Sequence, residues 1–293
     1  MNERIPFHVR PMLATLVGEP FDQPDWIYEE KYDGDRILAY KDGRGVRLVS
    51  RNAKNRTDRF PGIAAAVSKL PAKTLVLDGE VVVFDKKGVS HFQSLQEGIG
   101  HPVYVVFDCL YRDGKDYRRE ALSARQAAMR RVLRTGPDLR PAQRLAENGL
   151  KAFAQAKRAG LEGLVAKDSS SPYVEARSPL WLKVKIHRED EFVIAGFTAP
   201  AGSRQYFGAL LLGVYEKEAL RYVGKVGTGF DRKRLAALYR QFCPLIIQGC
   251  PFTRPPPGKH VTFLAPKLVA QISYQEITAD KKLRQPVFLG LSG

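Results

Sequence analysis

The chain has 293 residues, 44% of them hydrophobic, and a formal net charge of +16 at pH 7. This length predicts two folded units, and the excess of basic residues favours a polyanionic partner such as nucleic acid. Three scattered cysteines and the absence of an apolar run of about 18 residues argue against a disulfide framework, a zinc site and a membrane-spanning helix, so we expect a protein of the cytoplasm or nucleoid with no membrane partner.

The first predicted elements lead to a lysine. Aromatic and β-branched residues at 26–28 predict a short strand that ends just before Lys31. Apolar runs at 37–40 and 46–49 flank a turn and predict a β-hairpin. Arg51 follows the second hairpin strand, where its side chain can reach a phosphate.

Lys31 stands among groups that can make it reactive. An ammonium is not a nucleophile, so a reactive lysine needs nearby cations or partial desolvation that favour the uncharged amine. Arg36 supplies a cation, and Gly34 lets the backbone come close to a ligand. A lone Lys-x-Asp-Gly is more typical of a strand-edge lysine beside a turn, and the residues downstream decide between these interpretations.

Two further strands are predicted at 75–84 and 103–108. The first is apolar apart from Asp78, Gly79 and Glu80. Carboxylates in a buried strand need partners, which a metal ion or a ribose hydroxyl would supply.

Three helices are predicted as covers of a core and not as parts of a site. The first has the apolar residues Ile63, Ala66, Val67 and Leu70 at helical spacing. The second has a capping box of Ser123 and Gln126 and an apolar face of Leu122, Met129, Val132 and Leu133. The third has an apolar face of Leu150, Phe153 and Ala154 and ends at Gly160.

Two strands that follow carry charged residues. The run 162–167 begins with Glu162, and the run 181–185 places Lys183 and Lys185 on one face because strand side chains alternate. Two lysines on one face are usually a solvated edge, but here they can point at phosphates. The short charged segment 186–190 predicts a hinge between two domains.

The rest of the chain predicts a small barrel of the oligonucleotide-binding (OB) kind. Strands are expected at 192–197, 209–215 and 220–226, and a last strand at 268–274. Asp231 is predicted to cap a helix whose apolar face is Leu235, Leu238, Tyr239 and Phe242. The glycines near Lys225 lack Walker spacing, and the five histidines show no triad or metal-ligand pattern.

Six ordered motifs resemble those of the covalent nucleotidyltransferases. They are the stretch 31–36, Ser50-Arg51-Asn52, Asp78-Gly79-Glu80, Val106-Phe107-Asp108, Glu162-Gly163 and Lys183-Val184-Lys185. The wider chain resembles ATP-dependent DNA ligases, and among them the ligase domain of the bacterial non-homologous end-joining enzymes. Pro11-Met12-Leu13-Ala14, 202–204, 207–213 and 222–230 extend that likeness.

The resemblance implies an α+β fold in two domains. An ATP-grasp-like adenylation (nucleotidyltransferase) domain with antiparallel sheets and flanking helices would cover 1–187, and an OB-fold β-barrel would cover 188–293. It also implies three steps that seal a DNA break in repair or end joining. Lys31 attacks the α-phosphate of ATP, the adenylate passes to a 5′-phosphate, and the adjacent 3′-hydroxyl displaces AMP.

The resemblance also implies roles for single residues. Lys31, Lys183 and Lys185 would be catalytic, and the last two would clamp the α-phosphate. The implied nucleotide contacts are Glu29 with the adenine amino group, Phe107 stacked on adenine, Arg36 and Arg51 with ribose or phosphate, and Glu80 with the ribose. Glu162 and Glu80 would bind Mg²⁺ or Mn²⁺. The implied DNA contacts are Arg51, Arg204 and Lys225.

We therefore expect a monomer that binds nicked or broken duplex DNA without reading its sequence and more weakly as salt increases, with an end-binding or other repair protein as a further candidate partner. An RNA ligase, a capping-type guanylyltransferase and a non-catalytic nick-binding protein are the alternatives. The family pattern continues after a segment like 284–291 into an Arg-x-Asp-Lys element that contacts pyrophosphate. The sequence stops at Ser292-Gly293, which predicts slow self-adenylylation unless Lys281, Lys282 or Arg284 substitutes.

Overall fold

A computed structural model of the chain describes residues 5–258, 260–278 and 280–292. The chain divides into two compact units, Met1–Ile186 and His187–Gly293, here called unit 1 and unit 2. The division falls inside the charged segment predicted as a hinge, although a strand already begins at Arg188. No helix in the described ranges combines the length and the apolar character that crossing a membrane requires.

The described part of unit 1 contains ten strands and four α-helices. The strands are β1 (Leu13–Val17), β2 (Trp26–Glu30), β3 (Asp35–Asp42), β4 (Gly45–Ser50), β5 (Leu75–Val83), β6 (Pro102–Arg112), β7 (Lys115–Asp116), β8 (Leu139–Pro141), β9 (Gly163–Asp168) and β10 (Arg177–Lys185). The helices are α1 (Pro61–Ser68), α2 (Phe92–Glu97), α3 (Leu122–Val132) and α4 (Gly149–Ala159).

These strands form two sheets. The first has the order β1-β10-β9-β2, in which only β1 and β10 run parallel. The second has the order β4-β3-β5-β6-β7 and is antiparallel, with β8 added parallel to β6. The predicted strand before Lys31 and the predicted hairpin are confirmed as β2 and the β3–β4 pair. The sequence did not predict β1, because this edge strand is only partly buried and its apolar pattern is weak.

Two predictions about helices in unit 1 are wrong. Helix α3 begins at Leu122 after Ala121, with no side-chain cap, so Ser123 and Gln126 form no capping box. Helix α4 ends at Gly160 as predicted, but Leu150 is 53% exposed. The buried face of α4 consists of the small residues Gly149, Ala152 and Ala156, because the helix packs closely on β2 and β9.

The described part of unit 2 contains eight strands and one α-helix. The strands are β11 (Arg188–Thr198), β12 (Leu210–Glu216), β13 (Ala219–Val226), β14 (Ile246–Ile247), β15 (Val261–Tyr274), β16 (Glu276–Ile277), β17 (Leu283–Arg284) and β18 (Val287–Leu291). The helix is α5 (Arg232–Phe242).

Unit 2 has the strand order of a small barrel. The main sheet runs β13-β12-β11-β15, and β18 pairs with β15 on the far side. The amide of Phe288 in β18 donates to the carbonyl of Thr228, just after β13, at 3.0 Å, which brings the two ends of the sheet together. Five strands with a helix between the third and the fourth are typical of an OB-fold. The strand ending at Tyr274 is therefore not the last one.

The predicted cap of α5 is confirmed. The side chain of Asp231 accepts a hydrogen bond from the amide of Arg234 at 2.7 Å, and Leu235, Leu238 and Phe242 are buried. The second unit thus has a core of its own, separate from the core of unit 1.

An ion pair without solvent exposure attaches α3 to β6. Arg125 donates from Nε to Oδ1 of Asp108 and from Nη2 to Oδ2, both at 2.9 Å, and neither side chain is exposed. Its Nη1 donates to the carbonyls of Glu120 and Ser171. Burial raises the pKa of Asp108, and the charge of Arg125 opposes that rise. Each charge is therefore stable in the core only while the other is present.

Replacing Arg125 with methionine should lower the free energy of unfolding by about 3–5 kcal/mol, because Asp108 would be left as an uncompensated buried charge. Urea denaturation measures the loss. Arg130→Met on the exposed side of the same helix is the matched control and should change stability by less than about 0.5 kcal/mol. Equal effects of the two substitutions would contradict the importance of the buried pair.

Candidate functional site

A cleft in unit 1 collects most of the predicted site residues. Both sheets contribute to it, since β1, β2, β9 and β10 provide one side and β3, β5 and β6 the other. The side chains and backbone that line it belong to Leu13, Ala14, Glu29, Glu30, Lys31, Tyr32, Arg36, Arg51, Glu80, Phe107, Val165, Lys167, Arg177, Trp181 and Lys183.

Lys31 lies at the end of β2 in contact with a carboxylate. Its Nζ contacts Oε2 of Glu162, and its amide donates to the carbonyl of Gly163 at 3.1 Å. Lys185 approaches the other oxygen of Glu162 at 3.7 Å. Gly163 allows this arrangement, because a Cβ there would lie 2.1 Å from the carbonyl oxygen of Val184. The strand β10 can therefore bring its lysines next to Lys31.

Lys183 adds a second cation to this end of the cleft. Burial lowers the pKa of its amine, and the neighbouring charges of Lys31, Lys185 and Arg177 lower it further. A group of neighbouring cations is a favourable place for a phosphate group, since an added negative charge would relieve their mutual repulsion.

Glu80 and Asp78 point the same way from β5. Asp78 is fully buried and binds Arg36 in a bidentate pair, at 2.6 Å from Nε and 2.8 Å from Nη2. Tyr173 also donates to Asp78, at 2.6 Å. Burial raises the pKa of Glu80 to about 8, although the charges of Arg36 and Lys31 oppose the rise. Among the described residues, Glu80 has no ion pair comparable to the one that Asp78 makes with Arg36.

The far end of the cleft is aromatic. The guanidinium carbon of Arg36 lies 4.4 Å from the ring centre of Phe107. The amine of Lys167 lies 4.2 Å from the same ring centre and 4.3 Å from that of Trp181. Phe107 and Trp181 meet edge to face at 6.1 Å. Cations at this distance from an aromatic ring are attracted by its negative face.

Lys167 and Gln126 both bind Glu29, and sequence reasoning placed neither of them in the site. Lys167 is 3% exposed and its Nζ lies 2.5 Å from Oε2 of Glu29. Gln126 is 1% exposed and donates from Nε2 to Oε1 of Glu29 at 2.7 Å. Arg144 in turn donates to Oε1 of Gln126 at 2.7 Å, which orients the amide so that its NH₂ faces Glu29.

A signal for one of the two was present in the sequence. A lysine inside an apolar strand needs a partner, and Lys167 follows Val165 on the face that β9 shares with Glu29 of β2. No comparable signal existed for Gln126, whose spacing from Ser123 also suits an ordinary helix cap.

The structure brings together in unit 1 the residues predicted to act in catalysis and in nucleotide and metal binding. Glu162 and Lys185 do not line the cleft themselves, but Glu162 contacts Lys31, which does, and Lys185 approaches Glu162. In the described ranges no three His, Cys, Asp or Glu side chains are grouped as metal ligands. Two of the predicted DNA contacts belong to unit 2. Arg204 is partly buried and donates to the carbonyl of Gly227 at 2.7 Å, and Lys225 is exposed on β13.

Comparison with protein families gives two matches along the chain. Residues 11–185 match the family described as "ATP dependent DNA ligase domain". Residues 203–292 match the family described as "ATP dependent DNA ligase C terminal region".

Comparison with individual proteins gives relatives that agree with these two family matches. The multifunctional non-homologous end joining protein LigD of Pseudomonas aeruginosa is 39% identical over 98% of this chain and 36% of its own length. LigD of Mycobacterium tuberculosis is 36% identical over 97% of this chain and 38% of its own length. The chain therefore spans little more than a third of these relatives. A solved structure of mycobacterial DNA ligase D complexed with ATP and MES is 31% identical, covers 98% of this chain and 96% of its own, and has a TM-score of 0.59.

Glu30, beside the lysine, is a carboxylate without full compensation. It is 5% exposed, and its Oε1 has no hydrogen-bond partner among the described residues. Burial raises its pKa to about 7, opposed by the charge of Arg140 and a hydrogen bond with Tyr32. Because the folded pKa exceeds the ordinary value of 4.5, the folded state binds more protons than the unfolded state between these values, and ionisation of Glu30 destabilises the fold.

The contribution of Glu30 to the free energy of unfolding should thus be complete below pH 4.5, decline as the pH rises to about 7, and stay constant above it. Urea denaturation of the wild type and of Glu30→Gln at several pH values from 5 to 8 should show the decline smaller in the variant. Glu147→Gln, at an exposed site, is the control. A variant that keeps the wild-type pH dependence would contradict this assignment.

Proposed function

The chain belongs to the ATP-dependent DNA ligases, and from that membership we propose that it seals 5′-phosphate/3′-hydroxyl breaks in duplex DNA through a covalent lysyl-AMP. The observation that carries the proposal is the position of Lys31, which contacts the carboxylate of Glu162 and lies near Lys183 and Lys185, at the cationic end of a cleft whose other end is aromatic. That arrangement suits a nucleotide with its phosphates toward Lys31 and its base toward Phe107.

In the first step Lys31 is the nucleophile. Its Nζ forms a bond with the α-phosphorus of ATP, the bond from that phosphorus to the bridging oxygen breaks, and pyrophosphate leaves with the electron pair. The amine must lose its proton for this attack, and Glu162, in direct contact with Nζ, is the carboxylate in position to accept it.

The cations around Lys31 stabilise the charge that develops on phosphate. Lys183 and Lys185 lie on the same face of β10, and Arg51 lines the cleft from the end of β4. Donors that are already in place need no reorganisation during the reaction, which makes this kind of stabilisation effective. The same groups would act in the transfer of adenylate to the 5′-phosphate and in the displacement of AMP by the 3′-hydroxyl.

The aromatic end of the cleft suits adenine. We assign Phe107 to stacking and Glu29 to accepting a hydrogen bond from the adenine amino group. Lys167 and Gln126 keep Glu29 in a single position and satisfy part of its charge. Guanine presents a carbonyl oxygen where adenine has the amino group, and a carboxylate would repel it. This favours ATP over GTP, and with it a ligase over a capping-type guanylyltransferase.

A magnesium or manganese ion is compatible with the residues present. Mg²⁺ is commonly bound by one or two carboxylates together with substrate phosphates, so a cage of three protein carboxylates is not required. Glu162 and Glu80 would hold the ion, and burial raises the pKa of Glu80 although the charges of Arg36 and Lys31 oppose the rise, so an added cation would stabilise its ionised form. A bound ion would neutralise part of the phosphate charge.

We propose that residues 1–187 form the adenylation domain and 188–293 a DNA-binding barrel. The net charge of +16 and the exposed Lys225 support contacts with phosphates that do not read the bases. Arg51 and Arg204 are the other proposed DNA contacts. Action as a monomer in end joining, with an end-binding protein as partner, is proposed from the likeness to the LigD proteins.

Lys31→Ala should abolish transfer of label from α-labelled ATP to the protein, because the attacking amine is removed. Lys31→Arg should fail too, since a guanidinium stays protonated. Both variants should retain some sealing of a nick that is supplied already adenylated. A matched control is Lys151→Ala, at an exposed position of α4. Labelled AMP on the Lys31→Ala protein would refute the assignment, and failure of the wild type to seal any nick would refute the function.

Phe107→Leu should weaken ATP binding by about 5- to 150-fold, because stacking of a base on an aromatic ring contributes about 1–3 kcal/mol. Leucine keeps an apolar side chain in the strand and limits the loss of packing. Phe153→Leu, in a partly buried site on α4, is the control. Calorimetric titration with ATP measures both. Unchanged affinity in Phe107→Leu would make Phe107 a core residue only.

A further inference from the structure

A second groove lies beside the nucleotide cleft in unit 1, here called the arginine groove. It is lined by Phe7, His8, Val9, Arg10, Pro11, Tyr40, Arg47, Val49, Ser50, Arg51, Ala53 and Asn55. Arg51 lines both the groove and the cleft, so the two are adjacent. The proposed reaction as described above uses only the cleft.

The groove is built by two segments. Side chains alternate along a strand, so β4 directs Arg47, Val49 and then Arg51 to one side and Leu48 into the core. The segment 5–11 forms the opposite wall. It is held there by the amide of Val9, which donates to the hydroxyl of Tyr40 at 3.2 Å, and Val9 itself is buried.

The groove carries positive charge without compensation. Its lining includes three arginines and no aspartate or glutamate. None of the three guanidinium groups has a carboxylate partner in the part of the chain that the structure describes. Glu175 accepts from the backbone amide of Arg10 and pairs through its other oxygen with Arg118. Surface arginines that serve only solubility usually alternate with acidic residues.

Arg47 is held in place without being neutralised. Its guanidinium carbon lies 4.7 Å from the ring centre of Phe7, whose ring packs on Tyr40 at 5.7 Å. Phe7 is 39% exposed, so the ring that contacts Arg47 lies at the protein surface. A cation over an aromatic face is oriented by the ring while its N–H groups remain available, and those groups match the oxygens of a phosphate.

We propose that the arginine groove binds the sugar-phosphate backbone of the DNA strand that enters the cleft. The inference rests on the proposed ligase function and adds a surface to it. Arg47 lies on β4 and Arg51 just beyond its end, four residues apart, or at most about 13 Å. At about 3.4 Å of helix axis per nucleotide, that separation exceeds one nucleotide. A single nucleotide held at Lys31 does not account for Arg47 and Arg10.

The test measures how binding to a nicked duplex depends on salt. Each neutralised phosphate contributes about 0.9 to the slope of the logarithm of affinity against the logarithm of salt concentration. We expect Arg47→Ala and Arg10→Ala each to reduce that slope by about 0.9. The loss of affinity between 50 and 200 mM salt should then be about threefold smaller than in the wild type for either variant. Arg47→Lys keeps the charge and should keep the slope.

Arg44→Ala is the matched control, since Arg44 is exposed in the turn of the same hairpin and does not line the groove. Its slope should equal that of the wild type. Transfer of label from ATP to the protein checks that each variant is folded. If Arg10→Ala and Arg47→Ala both have the slope of Arg44→Ala, the groove does not bind the backbone, even if the wild type seals nicks. Failure of the wild type to seal would instead overturn the proposed function, while the slopes would still decide about the groove.

Discussion

The contact between the amine of Lys31 and the carboxylate of Glu162 is the interaction on which the cleft depends. It joins the end of β2 to the residue before β9, and the amide of Lys31 reinforces it by donating to Gly163. With no side chain at position 163, β10 comes close enough to place Lys185 on the other oxygen of Glu162. Three strands thus converge on one carboxylate, and the direction in which Lys31 points follows from that convergence.

The two ends of the cleft differ in how far their charged side chains are paired with charges of opposite sign. At the aromatic end Glu29 is matched by Lys167, and Asp78 by Arg36. At the opposite end Lys31 and Lys185 both approach the carboxylate of Glu162, Lys183 lies close to these charges, and Glu80 has a raised pKa. The carboxylates at the aromatic end are therefore paired within the protein. At the opposite end positive side chains predominate, and an anion would reduce their mutual repulsion.

Much of this site could be predicted from the sequence because its motifs are local. The stretch around Lys31, the pair on β10 and the hairpin that leads to Arg51 each show their character within a few residues. The contacts of Glu29 could not be predicted in this way, since Gln126 lies 97 residues away and Lys167 lies 138 residues away. The prediction from periodicity also failed for α4. The larger Leu150 and Phe153 had suggested the buried face, but the buried residues of the helix are a glycine and two alanines. In unit 2 the strands and the cap of α5 were predictable, while β18, which completes the sheet, was missed after two very short strands.

Two adjacent residues of helix α3, Arg125 and Gln126, make contacts of different kinds. Arg125 attaches the helix to β6 through a pair shielded from water, and the next residue, Gln126, holds the carboxylate proposed to recognise the base. Any substitution that shifts the helix by a fraction of an ångström therefore displaces Gln126 as well. If Glu29 recognises the base as proposed, the core residues around α3 affect nucleotide choice as well as thermal stability, and a mutation far from the reacting phosphate can change which nucleotide the protein accepts.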